Sequence, residues 1–303
     1  MPALRLMRRA LPEHRIVLLG PAWVGDVAGF PVDAVADDAA APAPDVVVNL
    51  HGRGPQSHAR LDALARSRPV RRIGHAAPGW DGPAWVDDPE RPERRRWCDL
   101  LATCGLVGDD EAAVAADDLR LPTPDVGGAS LPASGGRRAT SSAVVIHPGA
   151  AFGSKRWPVD RFAAVAEALA GDGHRVVVTG GRDESALTAA VAAASGGLDL
   201  AGRTSLLDLL VLVAGARLVI AGDTGIAHVA TAFGIPSVTL FGPVGPTQWG
   251  PPADPRHVVL TDASVRRGER FADEPDPALL AVTVDDVLGC ARVLVGSSPD
   301  RLG

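Results

Sequence analysis

Lys155 lies in the stretch HPGAAFGSKRWP, residues 147–158, and is the single lysine in a chain that carries 29 arginines. Where every other cation is a rigid guanidinium, this one is a compact ammonium on a flexible stem. Such a group can follow charge as it moves onto a leaving group. Gly149, Ala150 and Ala151 precede it, and side chains that small let backbone amides close around an anion, with Ser154 as a further candidate contact. The loop is not a Walker A motif, because three residues separate Gly149 from Gly153 and Ser154 intervenes before the lysine. A second loop, Gly222-Asp223-Thr224-Gly225, stands between an apolar run and an Ala-rich helical pattern. Asp223 or Thr224 suits the N-cap there, and the free amides of the first turn favour phosphate. His228 follows Thr224 by four residues and shares its helical face. A third loop, Thr179-Gly180-Gly181-Arg182-Asp183-Glu184, falls short of a dinucleotide fingerprint. Glu184 can line a sugar pocket, although an exposed carboxylate at a helix start is the commoner reason for such a residue.

Other chemistries fail on inventory. There is no G-x-S-x-G elbow and no H-E-x-x-H helix, and the paired aspartates lack the D-x-D spacing of a metal-bound diphosphate. No metal and no cofactor are expected, so lysine and helix amides must do what a metal does elsewhere.

These loops need strands and helices to hold them. From residue 143 onward, apolar strands alternate with amphipathic helices: AVVI, VDRFAAVAEALAGDG, HRVVV, DESALTAAVAAAS, SLLDLLVLVAGA, RLVIAG, IAHVATAFG, PSVTLFGP. Continuous runs such as VVV imply burial on both sheet faces, which predicts a parallel α/β sheet with ligands at its carboxyl edge. The first half alternates likewise, with strands at RIVLLG (15–20), DVVVNLHG (45–52) and VRRIGHA (70–76) and helices at 57–67 and 97–106. The Pro/Gly/Ser-rich stretch between them reads as a connector. The expected organisation is an N-terminal domain over 1–125, a linker over 126–142 and a C-terminal domain over 143–303. The helical pattern at 284–294 could pack on either domain.

Composition bounds the partners. A net charge of −6 offers nucleic acid no general attraction. The basic runs RPVRR (68–72) and RPERRRW (91–97) could meet an acidic acceptor or a membrane surface, but such runs are more often solvated faces. Three cysteines without paired spacing imply neither a disulfide framework nor a zinc site. No apolar run is long enough to span a bilayer, and no signal peptide is visible. A cytoplasmic location fits, with peripheral contact at the inner face of the cell membrane as an option.

Taken together, HPGAAFGSKRWP, HRVVVTGG, LAGRTSLLDL and GDTGIAHVATAFGIPSVTLFGP resemble glycosyltransferase family 9, the ADP-heptose:lipopolysaccharide heptosyltransferase group, across residues 143–252. The resemblance implies a GT-B fold, two Rossmann-like domains facing across a cleft, with inverting, metal-independent transfer. By position it implies that Lys155 contacts the diphosphate and sugar, that Thr224 and Gly225 bind phosphate, and that Asp223 and His228 lie on the sugar side. Thr204 falls where the nucleoside sits, and Glu184 near a sugar-binding acid. PALRLMRRALPEHR matches the family helix that follows a first strand and a Gly-Asp loop carrying the proposed base. The chain begins inside that helix, so the resemblance implies that the strand and its base are missing or lost. Asp26, in Gly25-Asp26, and His51, in NLHGRGP, are the substitutes.

The expected activity is transfer of a sugar, heptose by family, from a nucleoside diphosphate sugar to a glycan or glycolipid acceptor. The alternatives are a protein that binds the nucleotide sugar without transferring it, and a GT-B epimerase or hydrolase.

Overall fold

The computed structural model describes residues 1–20, 24, 31–37, 43–52, 54–65, 69–124 and 141–297. The chain divides into two compact units, Met1–Leu119 and Arg120–Gly303. Residues 126–140 of the expected linker lie outside the described residues.

The first unit runs α1 (Pro2–Ala10), β1 (Val17–Leu19), β2 (Ala34–Ala36), β3 (Val46–Val48), α2 (Pro55–Leu64), β4 (Arg71–Ile73), α3 (Glu93–Thr103) and α4 (Asp109–Ala115). β1 pairs in parallel with β2, and β3 with β4. α1 buries Leu4, Leu6 and Met7 against Ile73, Cys98 and Leu101, while its last-turn Arg8 reaches Asp33. Arginines thus face outward from the helix that the apolar residues anchor. Burial pushes the Cys98 thiol up to about 11, an unreactive state.

The predicted helix at 97–106 begins earlier, at Glu93, because Pro92 stops the chain from being helical before it and Glu93 complements the helix dipole. It ends at Thr103, before Gly105 at φ +68°. The basic run that starts this helix is paired within the unit: Arg91 and Arg95 with Asp99, Arg94 with Asp117, and Arg96 with Glu93. Arg96 is buried, donates to the Val86 carbonyl at 2.7 Å and lies 4.3 Å over the Trp85 ring. A buried guanidinium is tolerable only with such compensation.

The second unit runs β5 (Val144–His147), α5 (Val159–Gly171), β6 (Val176–Val178), α6 (Ser185–Ser195), β7 (Leu198–Asp199), α7 (Leu206–Ala214), β8 (Leu218–Gly222), α8 (Gly225–Phe233), β9 (Ser237–Leu240), α9 (Pro246–Trp249), β10 (His257–Leu260), α10 (Pro277–Leu280) and α11 (Val284–Ser297). Among the described residues its six strands are all parallel, in the order β10-β9-β8-β5-β6-β7. Alternate residues face opposite sides, so Val144, Ile146 and Ile220 pack with Phe162, Val165 and Leu169 of α5. Val145, Val219 and Ala221 pack with Leu212, Val213 and Ala230 on the other face. Each large apolar side chain buried this way contributes about 1.5–3 kcal/mol.

α11 belongs to the second unit. Val287, Leu288, Ala291 and Leu294 join the α5 side of that core, and Arg217 holds the Val295 carbonyl at 2.6 Å. The chain runs outward from β5 to β7, returns to β8, and runs outward again to β10. β5 and β8 are therefore neighbours at the point where strand order reverses, and their carboxyl ends open the crevice where ligands bind in such sheets.

Candidate active site

The loop after β5 turns through a short 3-10 segment at Gly153–Lys155 before Pro158 and α5. Arg156 fixes it from inside, its Nε donating to the Ala150 carbonyl at 2.8 Å. Trp157 is buried, donates to the Val282 carbonyl at 3.1 Å and meets Phe162 edge-on. Segment 270–276 staples the loop from the other side: Ser154 N–H donates to Ala272 and its hydroxyl to Arg270, both at 2.8 Å, while Asp276 N–H donates to Ser154. A side chain on Gly153 would overlap the Asp273 backbone, so only glycine fits there. Ser154 is fully buried, and its hydroxyl is directed into this staple.

The outcome is a held Lys155. Its Nζ lies 2.7 Å from Asp223 Oδ2, across the β5–β8 switch point, and Asp223 is only 7% exposed. A charge-assisted bond of that length fixes a flexible ammonium in one place. Thr224 occupies the N-cap of α8 without a side-chain cap bond, so the first turn presents its amides unblocked by its own side chain. Gly225 faces open space. One turn on, the His228 ring has an exposed outer face. Desolvation by the surrounding protein lowers its pKa, Lys155 lowers it further, and Asp223 opposes both. Lys155, Asp223, Thr224, Gly225 and His228 therefore form one cluster, with a cation, a carboxylate, an imidazole and a helix N-terminus.

A second cluster lies at the carboxyl ends of β5 and β6. Glu184 is folded back, not exposed: its side chain is 16% accessible and accepts the Gly181 N–H at 2.8 Å. Its carboxyl sits where a side chain on Gly149 would be, which explains the glycine. His147, absent from the sequence-predicted set, approaches Glu184 Oε2 to 4.0 Å and bonds Thr179 Oγ1 at 3.1 Å. Burial lowers the His147 pKa, against the pull of Glu184. Ala150 is buried beneath this loop. Thr204 is half-buried in the turn after β7, which is tied to the Glu184 loop through Gly202 N–H to the Gly180 carbonyl at 2.9 Å. The signal for His147 was present in its place at the carboxyl end of an apolar strand. Glu184 needed the fold, because a helix-start carboxylate gives no hint of turning inward.

In the first unit, His51 is exposed in the loop after β3, its N–H bonded to Asn49 Oδ1 at 3.0 Å. Asn49 also donates to Ser57 Oγ at 3.0 Å, so the loop is anchored to α2. Asp26 lies outside the described residues. Among the described residues no group of three or more His, Cys, Asp or Glu is arranged to hold a metal ion, and no helix is long and apolar enough to cross a membrane.

Comparison with known proteins places this geometry in context. The model of glycosyltransferase family 9 (heptosyltransferase) matches residues 95–271, more than half of the chain. Lipopolysaccharide heptosyltransferase 2 of Salmonella typhimurium is 37% identical over 106 residues, 33% of this chain and 30% of that protein. The Escherichia coli protein of the same name is 32% identical over 151 residues, 46% of this chain and 43% of the relative. The chain thus aligns with less than half the length of these curated relatives. Among solved structures, a family 9 glycosyl transferase from Veillonella parvula superposes with a TM-score of 0.75 at 20% identity, covering 98% of this chain and 92% of the other. Escherichia coli ADP-heptose lps heptosyltransferase II gives 0.71 at 19% identity, covering 97% and 93%. At such identities the likeness establishes the fold, which is α/β of the GT-B class.

Proposed function

This chain belongs to glycosyltransferase family 9, and on that premise we propose that it transfers a sugar from a nucleoside diphosphate sugar to a glycan or glycolipid acceptor, with inversion and without a metal. The observation that carries this reading is the Lys155–Asp223 pair beside the N-terminus of α8, at the strand switch point. Breaking the bond between the anomeric carbon and the diphosphate sends the electron pair onto phosphate oxygen. An ammonium and helix amides aimed at that oxygen stabilise the transition state more than the bound donor. Asp223 positions Lys155 before the donor arrives, so little reorganisation remains for the reaction itself. Asp223 and His228 then face the sugar, with Glu184 as a further sugar-side carboxylate, and Thr204 faces the nucleoside end.

The acceptor hydroxyl attacks the opposite face of the anomeric carbon and gives its proton to a protein base. His51 and Asp26 are the candidates, and His51→Gln and Asp26→Asn, assayed for transfer with donor binding as control, separate them. The names of the relatives favour an ADP-sugar, heptose among them, and lipopolysaccharide as acceptor. We place the protein in the cytoplasm, meeting its acceptor at the inner face of the membrane.

The test is a thermal-shift panel of ADP-, GDP-, UDP- and dTDP-sugars followed by a transfer assay with and without chelator. A donor at a hundred times its dissociation constant adds about 2.7 kcal/mol of stability. The preferred donor should be consumed only with acceptor present, at the same rate with chelator, and the product linkage should be inverted. No stabilisation by any nucleotide would refute the reading. Donor consumption without acceptor would replace it with hydrolysis or epimerisation.

A further inference from the structure

The transfer mechanism leaves His147, the last residue of β5, without a task. The three residues before it are sealed in the core, while its own side chain stands at the carboxyl edge of the sheet, 16% accessible. Nδ1 lies 3.1 Å from the Oγ1 of Thr179, a buried residue directly after β6. A hydroxyl can give or take a proton, so this contact fixes the ring and lets the imidazole keep its own proton on Nε2. Nε2 is the nitrogen that faces Glu184, 4.0 Å from Oε2. At that separation the attraction is electrostatic and not a hydrogen bond, and in a largely buried setting it is little screened.

The carboxylate occupies a place with few polar neighbours. A side chain at Gly149 would overlap it, and one at Gly180 would crowd it together with Thr188. Oε2 accepts the Gly181 N–H at 2.8 Å, whereas Oε1 has no hydrogen-bond partner among the described residues. Among those residues no lysine or arginine pairs with Glu184, and His147 is the ionisable side chain that faces it. A carboxylate held by one amide can still swing on its side-chain torsions. A second polar group on the Oε2 side selects one orientation and leaves Oε1 for a ligand.

We propose that His147 is a positioning residue for transfer: backed by Thr179, it holds the Glu184 carboxylate inward with Oε1 left for a donor hydroxyl, and it acts on the donor only through Glu184. The inference rests on the transferase reading above and adds to it a residue that sets donor affinity without touching the donor.

The experiment is a double-mutant cycle of His147→Ala and Glu184→Gln, read by steady-state transfer and by calorimetry with the nucleotide sugar that the thermal-shift panel selects. Glu184→Gln should weaken donor binding and raise KM about tenfold, the scale of one charged hydrogen bond. His147→Ala should raise KM about threefold or more, with kcat within about twofold of wild type. In the Glu184→Gln background it should add less than about twofold, because its effect passes through the missing carboxylate. His147→Gln, whose amide keeps an N–H near the Nε2 position, should recover most of the loss. A second readout needs no donor. Glu184 raises the His147 pKa against the effect of burial, so Glu184→Gln should move the NMR titration of His147 to lower pH. Losses that multiply independently in the cycle would make the role of His147 merely structural and overturn the proposal, while leaving the transferase reading standing. A fall in kcat at unchanged KM would overturn it as well. Wild-type protein that binds no nucleotide sugar would remove the transferase reading and this proposal together. Should His147→Ala fail to fold, the titration decides alone: a lowered His147 supports the proposal, and an unmoved one refutes it.

Discussion

The two ends of helix α8 hold similar residue types and put them to different uses. At its N-terminus, by the carboxyl ends of β5 and β8, Lys155, Asp223 and His228 surround an uncapped first turn and an open recess. At its C-terminus, by the amino ends of β9 and β10, Arg256 donates to the Gly234 carbonyl at 3.2 Å and chelates Asp254 through Nε at 3.0 Å and Nη2 at 2.6 Å. There Ser237, the first residue of β9, stands opposite His257, the first of β10, with Oγ and Nδ1 2.9 Å apart. A serine, a histidine and an aspartate in one place would suggest a nucleophile from their types alone. Ser237 is 1% exposed, so no substrate reaches it. The helix dipole explains the division. Carbonyls at the C-terminus attract the arginine and are satisfied by it, whereas amides at the N-terminus await an anion from outside.

The contrast can be broken most forcefully at Lys155. Lys155→Ala should lower the transfer rate at least a hundredfold, since one lost contact to the developing charge costs about 2.7–4 kcal/mol of barrier. A near wild-type rate would sink the assignment of the open end. At the closed end the expected cost is stability: Ser237→Ala leaves the His257 nitrogen without its partner and should cost about 1–3 kcal/mol in denaturant unfolding, with transfer per folded molecule unchanged. Lost transfer without lost stability would show that the closed end does chemistry.

The two histidines sharpen the comparison by titration. Burial lowers the pKa of both His228 and His257 in the folded protein. Each therefore takes up its proton less readily when folded than when unfolded. The stability associated with the neutral rings is complete above about pH 6.5, the unfolded value, and is lost as pH falls below it towards the lower folded values. NMR titration should find both rings below the ordinary histidine value. Adding ADP should raise His228, by bringing a diphosphate near it, and leave His257 in place. Equal movement of the two would remove the distinction between the ends. The smallest effect is expected from Arg256→Ala. Arg256 holds the Asp254 carboxyl at about 2, so the pair contributes above the unfolded carboxylate range and is lost as pH falls towards 2. Because the pair is solvent-exposed, the loss at neutral pH should stay below about 1 kcal/mol by denaturant unfolding.

Much of the second unit was legible before folding. Runs such as VVV and LVIAG identify strands buried on both faces, because only a covered parallel strand can afford no polar side. β7, with two residues, and β10, whose residues are only partly buried, give weak patterns and were not read. In the first unit, β2 and α4 were missed for the same reason: three and seven residues carry too little periodicity. The loops holding Lys155, Asp223 and Glu184 were found by residue type. Their pairing was not, since Lys155 and Asp223 lie 68 positions apart and no local rule joins them.

By itself, the sequence determined the class of the fold, the family, and which loops carry charge and small residues, because these follow from composition and spacing along the chain. The tertiary structure alone decided that β5 and β8 are neighbours, and hence that the single lysine meets Asp223. It also decided that Glu184 turns inward over Gly149, that Ser154 is used within the fold, and that α11 joins the second unit. Each of these depends on which surfaces remain once the strands have paired, and strand order is set by the burial of the whole sheet, not by any one segment of the chain.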